Sequence, residues 1–375
     1  MYNGTFIRKM TRMQNVQRWD EYAPHYHDNA ASHSFRVAVF SLIAAYYEEN
    51  KGRDVNLLDV LGKALFHDMN EVQTGPIMHR TKKEPTLKEH IERMERTASL
   101  GLVELLSQSL RPHFYRFLVE AEDDSFEGRL VDGIDSFDAM LFVRREVGHG
   151  SPHFVAKLEE MKAALREHPL ESIRWLYEQV EAETDVATFI ENVMRMDSVR
   201  RWKGRFNTID DNDAIHGFRA AALGMFSGLL EREKYDVDVD VAELTARLLC
   251  HDLVEGVTGD VLGPVKHSTA ETGTAFEAYE RAESEALLSL LPDYMQPAFR
   301  RYMADSKDDT YEGMLVDMMD KLDALIKMNM ERKMNGAEYE VTYREQLRKV
   351  QMRYENPSML FFLAYILHDL DYVTS

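Results

Sequence analysis

Residues 67–82 read HDMNEVQTGPIMHRTK and residues 251–266 read HDLVEGVTGDVLGPVK, one phrase written twice at an offset of 184. Working outward, His33 matches His216, Arg18-Trp19 matches Arg201-Trp202, and Thr5-Phe6-Ile7 matches Thr188-Phe189-Ile190, all at an offset of 183. Downstream, DDSFEGRLVDGIDSFDAM from Asp123 meets DDTYEGMLVDMMDKLDAL from Asp308 at an offset of 185, with 10 of 18 positions identical. Chance likeness between acidic helices would not hold such distant landmarks in register. The chain is therefore a tandem duplication. Its halves are expected at 1–183 and 184–375, with the boundary in the charged stretch EAETDV, residues 181–186. Both lengths are comfortable for a domain with its own core. With no Gly/Ser linker between them, the halves are expected to pack together about a pseudo-two-fold axis.

Periodicity gives the fold class. After His33, apolar residues fall at Phe35, Val39, Leu42, Ile43 and Tyr46; after His216 they fall at Phe218, Ala222, Met225, Phe226 and Leu229. Both are one stripe of a 3.6-residue helix. Leu57, Leu58, Leu61, Ala64 and Leu65 lead into His67, as Leu244, Leu248 and Leu249 lead into His251. Gly and Pro cluster just after each His-Asp pair, marking a loop. No sustained alternating run with hairpin turns occurs. The expectation is all-α, two helical bundles in tandem.

Composition narrows the function classes. A net charge of −20, from 45 basic and 65 acidic residues, argues against a surface that coats nucleic acid. It leaves room for a small phosphorylated ligand held by local cations, because distant charges are screened beyond about 8–10 Å. The single cysteine, Cys250, excludes an internal disulfide and a Cys-rich zinc site and reads as a buried apolar residue. No stretch approaches the roughly 18 apolar residues of a membrane span, and the first residues lack a signal-peptide core. A cytoplasmic protein with no membrane partner is expected.

The chemistry-bearing residues form a cage pattern. The first half offers His33, His67-Asp68 and one of Asp132, Asp135 and Asp138; the second offers His216, His251-Asp252 and one of Asp317, Asp320 and Asp323. Two imidazoles with two carboxylates suit a borderline divalent ion such as Mn, Co, Fe, Ni or Zn, one per half. Adjacent His and Asp diverge by about 100° in mid-helix, so each pair must sit at a helix end to reach one ion. The dipeptide alone means little, since it also occurs at His27 and His368 without the following Glu-x-x-Thr-Gly.

Arg18-Trp19 and Arg201-Trp202 fourteen residues before a histidine, then HDxxExxTGDxxxPVK, then DKLDA, together resemble the HD superfamily of metal-dependent phosphohydrolases. More narrowly the chain is similar to the YfbR-like bacterial 5′-deoxynucleotidases. The resemblance implies metal ligands His33, His67, Asp68 and Asp135, and in the second half His216, His251, Asp252 and Asp320. It implies phosphate binding by Arg18 and Arg201, helped by Lys82 and Lys266, and sugar pockets shaped by Trp19 and Trp202. Glu71 and Glu255 are implied to handle the proton near the attacking water or the leaving oxygen, with Asp260 a further catalytic residue. The implied reaction is removal of the 5′-phosphate from (deoxy)nucleoside monophosphates by attack of a metal-bound water. The alternatives are a dNTP triphosphohydrolase, another nucleotide phosphohydrolase, or a non-catalytic nucleotide sensor. Related single-domain enzymes look like homodimers, so the tandem would replace a dimer, and further oligomerisation is compatible with it. Departures fall unequally: Pro76 replaces the aspartate kept as Asp260, Ser32 and Ile215 replace the acid before the first histidine, and Gly217 replaces the serine kept as Ser34. The second site is expected to be the better catalyst.

Overall fold

The computed structural model describes residues 3–266 and 268–370 and is helical almost throughout. Cα packing divides the chain into two units, Met1–Ala182 and Glu183–Ser375. In the first unit the central element is the helix Ala30–Asn50, which packs against Leu57–Phe66, Phe126–Gly148 and Glu171–Glu181. In the second, Asp213–Tyr235 packs against Val241–Cys250 and Tyr311–Arg332 in the same order. Both central helices are buried on nearly every face, which is how a helix apolar all round is accommodated. Phe6, Phe66, Phe114 and Phe117 stack edge-to-face at the core of the first unit, and Phe189, Phe299 and Tyr302 do so in the second.

Helix starts are dictated locally and in the same way in both copies. Asn29 and Asn212 cap the central helices by accepting the backbone N–H of Ser32 and Ile215. Asn56 and Asp240 cap the next helices, and Ser125 and Thr310 the long ones beyond. Each cap satisfies a donor that the first turn leaves without a partner. The departure from pure helix is small: Gln17–Arg18 pairs antiparallel with Asp28–Asn29, and a single bridge joins Arg200 to Asn212 in the second unit. These pairings fasten the Arg-Trp segment beside the capping asparagine. Among the described residues no helix is long and apolar enough to cross a membrane.

Candidate metal centre

The helices Leu57–Phe66 and Val241–Cys250 each stop one residue short of a histidine, so that His67 and His251 occupy the C-cap. Beyond the cap the chain turns, and the neighbouring Asp68 and Asp252 swing to the same side as their histidines. One-turn helices follow, Glu71–Thr74 and Glu255–Thr258, and each ends at a glycine of positive φ, Gly75 at +70° and Gly259 at +72°. That conformation favours a residue without Cβ. His33 and His216 lie one turn into the central helices, and Asp135 and Asp320 in the middle of the long helices.

These side chains converge. In the first unit His33 Nε2 stands 3.2 Å from His67 Nε2, 3.0 Å from Asp135 Oδ1 and 3.6 Å from Asp68 Oδ2, and His67 Nε2 is 3.5 Å from Asp68 Oδ2. In the second, His216 Nε2 stands 3.3 Å from His251 Nε2, 3.4 Å from Asp252 Oδ2 and 3.6 Å from Asp320 Oδ1, and His251 Nε2 is 3.4 Å from Asp252 Oδ2. Ligand atoms about 2.1 Å from one ion stand roughly 3.0–3.4 Å from each other, and both cages come within a few tenths of an ångström of that size.

The protonation pattern fits a cation as well. His67 Nδ1 faces the Ala64 carbonyl at 3.0 Å and His251 Nδ1 the Leu248 carbonyl at 2.9 Å, so each must donate there and leave Nε2 as a bare lone pair. His33 Nδ1 lies 2.7 Å from Asp138 Oδ2, and His216 Nδ1 2.8 Å from Asp323 Oδ2. Lone pairs and carboxylate oxygens therefore crowd one point. Without an ion, a proton on the first histidine relieves that crowding. Burial and the Arg18 charge oppose it, yet hydrogen bonds to Asp135 and Asp138 push His33 up to about 9. His216 rises to about 9 against burial and Arg201, through Asp252 and Asp323. Although burial favours the neutral acid, His33 and Arg18 hold Asp135 well below the usual carboxylate range, and Lys307 and His216 do so for Asp320.

The Asp triplets separate into three roles. Asp135 and Asp320 face the cages. Asp138 and Asp323 stand behind the first histidines, each clamped by a fully buried arginine: Arg36 Nε to Asp138 at 2.7 Å and Arg219 Nε to Asp323 at 2.6 Å. The same arginines reach Asp28 at 3.1 Å and Asp211 at 3.0 Å. Such a partner fixes the tautomer and direction of a ligating imidazole. Asp132 is exposed, and Asp317 is tied to Tyr354, Lys321 and Arg353. Sequence reasoning missed Arg36, Arg219, Asp28 and Asp211, although both pairs repeat at the offset of 183 and could have been found from it.

Arg18 and Arg201 lie on the cage rims. Arg18 Nη1 is 2.7 Å from Asp68, and Arg201 Nη1 is 3.2 Å from Asp252 and 2.9 Å from Asp213. The following tryptophans both adopt left-handed backbone, φ +65° at Trp19 and +59° at Trp202. Trp19 stacks on Phe142 at 5.3 Å, and its Nε1 is buried without a hydrogen-bond partner among the described residues; Trp202 Nε1 donates to Asp211 at 3.1 Å. The segment beyond each tryptophan is pinned by a buried glutamate. Glu146 accepts the backbone N–H groups of His25 and Tyr26, each at 2.9 Å, and Glu331 accepts those of Thr208 and Ile209, each at 3.0 Å.

Glu71 and Glu255 stand beside the rims. Burial and then Asp68 push Glu71 up to about 8; burial, Asp252 and Asp213 push Glu255 to about 10. Lys82 pairs with Glu95 at 2.9 Å and lies 4.0 Å from Glu71, whereas Lys266 pairs with Glu280 at 2.6 Å. Asp260 follows the Gly259 turn, and its backbone carbonyl accepts from Lys203 at 2.8 Å. Lys307, which no motif singles out, lies 2.7 Å from Asp320 Oδ2. Cys250 is fully buried, with its thiol raised by that burial, as expected of a packing residue; His27 and His368 are exposed.

A family model matches each half in turn, and known proteins match about half of the chain. A family model described as "5′-deoxynucleotidase YfbR-like" matches residues 5–183 and again 188–370. A 5′-deoxynucleotidase of Shewanella oneidensis is 25% identical over 173 residues, 46% of this chain and 88% of the relative. One of Vibrio cholerae is 26% identical over 177 residues, 47% of this chain and 91% of its own length. Among solved structures, an HD-domain phosphohydrolase of Listeria innocua aligns at 26% identity with a TM-score of 0.45, covering 49% of this chain and 89% of that one.

Proposed function

We propose, from the premise that this chain belongs to the YfbR-like 5′-deoxynucleotidase family through both of its halves, that it removes the 5′-phosphate from deoxynucleoside monophosphates. The observation that carries this reading is the convergence, in each unit, of two imidazole nitrogens and one carboxylate, with a second carboxylate oxygen 3.6 Å from the first histidine and a guanidinium beside them. His33, His67, Asp68 and Asp135 would hold a divalent ion in the first unit, and His216, His251, Asp252 and Asp320 in the second. Mn or Co is the first choice to test, and Fe, Ni and Zn suit the donor set too. When bound, such an ion supplies Lewis-acid stabilisation of phosphoryl charge and a water acidic enough to attack near neutral pH.

The chain's own residues supply the rest. Arg18 and Arg201 present planar forks that match two phosphate oxygens. Burial and the neighbouring aspartates raise the carboxyls of Glu71 and Glu255 to about 8 and about 10 in the metal-free protein, which disposes them to serve as acids. As the water oxygen bonds to phosphorus and the P–O5′ bond breaks, the glutamate would give its proton to O5′ and recover one from the attacking water, whose other proton stays on the phosphate. Nucleoside and inorganic phosphate leave. Asp260, next to Gly259 in the loop after the His-Asp pair, adds a further acid only in the second unit. Trp19 and Trp202 wall the sugar position, and Lys82 lies nearer this chemistry than Lys266.

The test is phosphate release from dAMP, dTMP and dUMP with Mn²⁺ or Co²⁺, beside ribonucleotide and dNTP controls. Release confined to deoxynucleoside monophosphates is the expected result. Triphosphate release from dNTPs would move the reading to a triphosphohydrolase, and tight nucleotide binding without turnover would move it to a sensor.

A further inference from the structure

At the offset of 185 that aligns the long helices, Lys307 of the second unit corresponds to Glu122 of the first. The charge at this position is reversed. Lys307 Nζ lies 2.7 Å from Asp320 Oδ2, the oxygen beside the one that faces His216. Lys321, where the first unit has Ser136, adds a second ammonium 3.8 Å from the same oxygen. Glu122 reaches the surface but sits near Asp135 and Asp68: partial burial and those two charges push its carboxyl up to about 7. We infer that this exchange makes the two cages unequal, so that the first holds a divalent ion more tightly and the second less tightly.

The inference rests on the metal-centre reading above and adds an order of filling to it. An ammonium in contact with a ligand carboxylate withdraws negative charge from the ion that carboxylate serves, and at the place of Lys307 the first unit has an acidic residue instead. A unit charge a few ångströms from a dication changes affinity by about tenfold or more even with water-like screening. Lys307 is 37% exposed, so the lower end of that range applies.

Three differences work the other way, and each is answered by a nearer partner. Asp213, standing where the first unit has Ala30, places its charge 2.9 Å from Arg201 and so offsets that arginine. Asp260, in place of Pro76, lies beside Glu255 and helps to raise its carboxyl. Lys82, the cation beside the first cage, is held by Glu95 at 2.9 Å. Lys307 alone among these touches a ligand directly.

Titrating the full chain with Mn²⁺ alone, followed by calorimetry, tests the order without any substrate. Two classes of site separated by about tenfold or more are expected. Asp135→Ala should remove the tighter class and Asp320→Ala the weaker. Lys307→Met should narrow the gap, and Glu122→Lys should weaken the tighter class, with far-UV circular dichroism showing an intact helical fold. Two equal classes in the unaltered chain, loss of the tighter class in Asp320→Ala, or unchanged affinities in a folded Lys307→Met would overturn this inference alone. Absence of any Mn²⁺ binding would overturn the metal reading and this inference with it.

Discussion

The two units agree in what lies behind the proposed metal cage and disagree in what lies around it. Arg36 and Arg219, Asp28 and Asp211, Asp138 and Asp323 repeat in kind and in contact, with Nε bonds of 2.7 and 2.6 Å. At the rim, Ala30 gives way to Asp213, Pro76 to Asp260, and Glu122 to Lys307. Trp19 lies in an aromatic box with Tyr22, Phe142 and Phe154, while Trp202 meets Tyr339. A duplicated site thus tolerates change where side chains meet solvent or ligand. It tolerates little where a buried charge would lose its partner.

The sharpest way to break the comparison is to remove what the units share. Arg36→Met and Arg219→Met should each destabilise their own unit by about 3–5 kcal/mol, because each strips a buried guanidinium from two buried carboxylates. Differential scanning calorimetry would show comparable losses; a large loss in only one unit would mean that the shared contacts differ in weight. Next come the ligands. Asp252→Ala should lower phosphate release on the order of 10²–10³-fold, as loss of one electrostatic stabiliser does, and Asp68→Ala should lower it less. If Asp68→Ala abolishes release while Asp252→Ala spares it, the expected ranking of the units is reversed.

A smaller effect separates the glutamates by pH. Glu255 is raised from 4.5 to about 10 and Glu71 from 4.5 to about 8. A raised carboxyl favours the fold below its unfolded value of 4.5, and that support is lost as pH climbs toward the folded value. In metal-free protein, Glu255→Gln should therefore be stabilising at pH 8, on the order of 1–3 kcal/mol, and close to neutral at about pH 4.5. Thermal melts at both pH values in chelator would check it, and an equal gain at both would refute the assignment. Smallest is the lysine pair. Lys82→Ala and Lys266→Ala should each cost less than about 1 kcal/mol of stability. Only Lys82→Ala should alter the pH profile of phosphate release, because Lys82 lies near Glu71 whereas Lys266 is tied to Glu280.

Much of this was legible in the sequence, and the reason lies in periodicity and repetition. The apolar stripes after His33 and His216 give the central helices, and the glycines after each His-Asp pair mark where the helices before them must end. The convergence of His67 with Asp68 follows from that end. What escaped are contacts made far apart in sequence. A buried arginine such as Arg36 is spelled the same way as a surface one, and only the aspartates folded against it reveal its place. The same holds for Lys307, whose partner lies on the following helix. The puzzle of three aspartates spaced at i, i+3 and i+6 resolves in the same terms: Asp138 has Arg36, Asp135 faces the cage, and Asp132 is exposed.

The left-handed tryptophans carry a consequence for engineering. Holding a bulky residue in that backbone region costs on the order of 1–3 kcal/mol, and Trp19 and Trp202 both bear it beside a cage. Glycine at either place would recover that strain and so offset part of the lost indole contacts, whereas alanine would recover little of it. A screen for heat-resistant variants would therefore pass glycine more readily than alanine, although both leave the same gap where the indole stood.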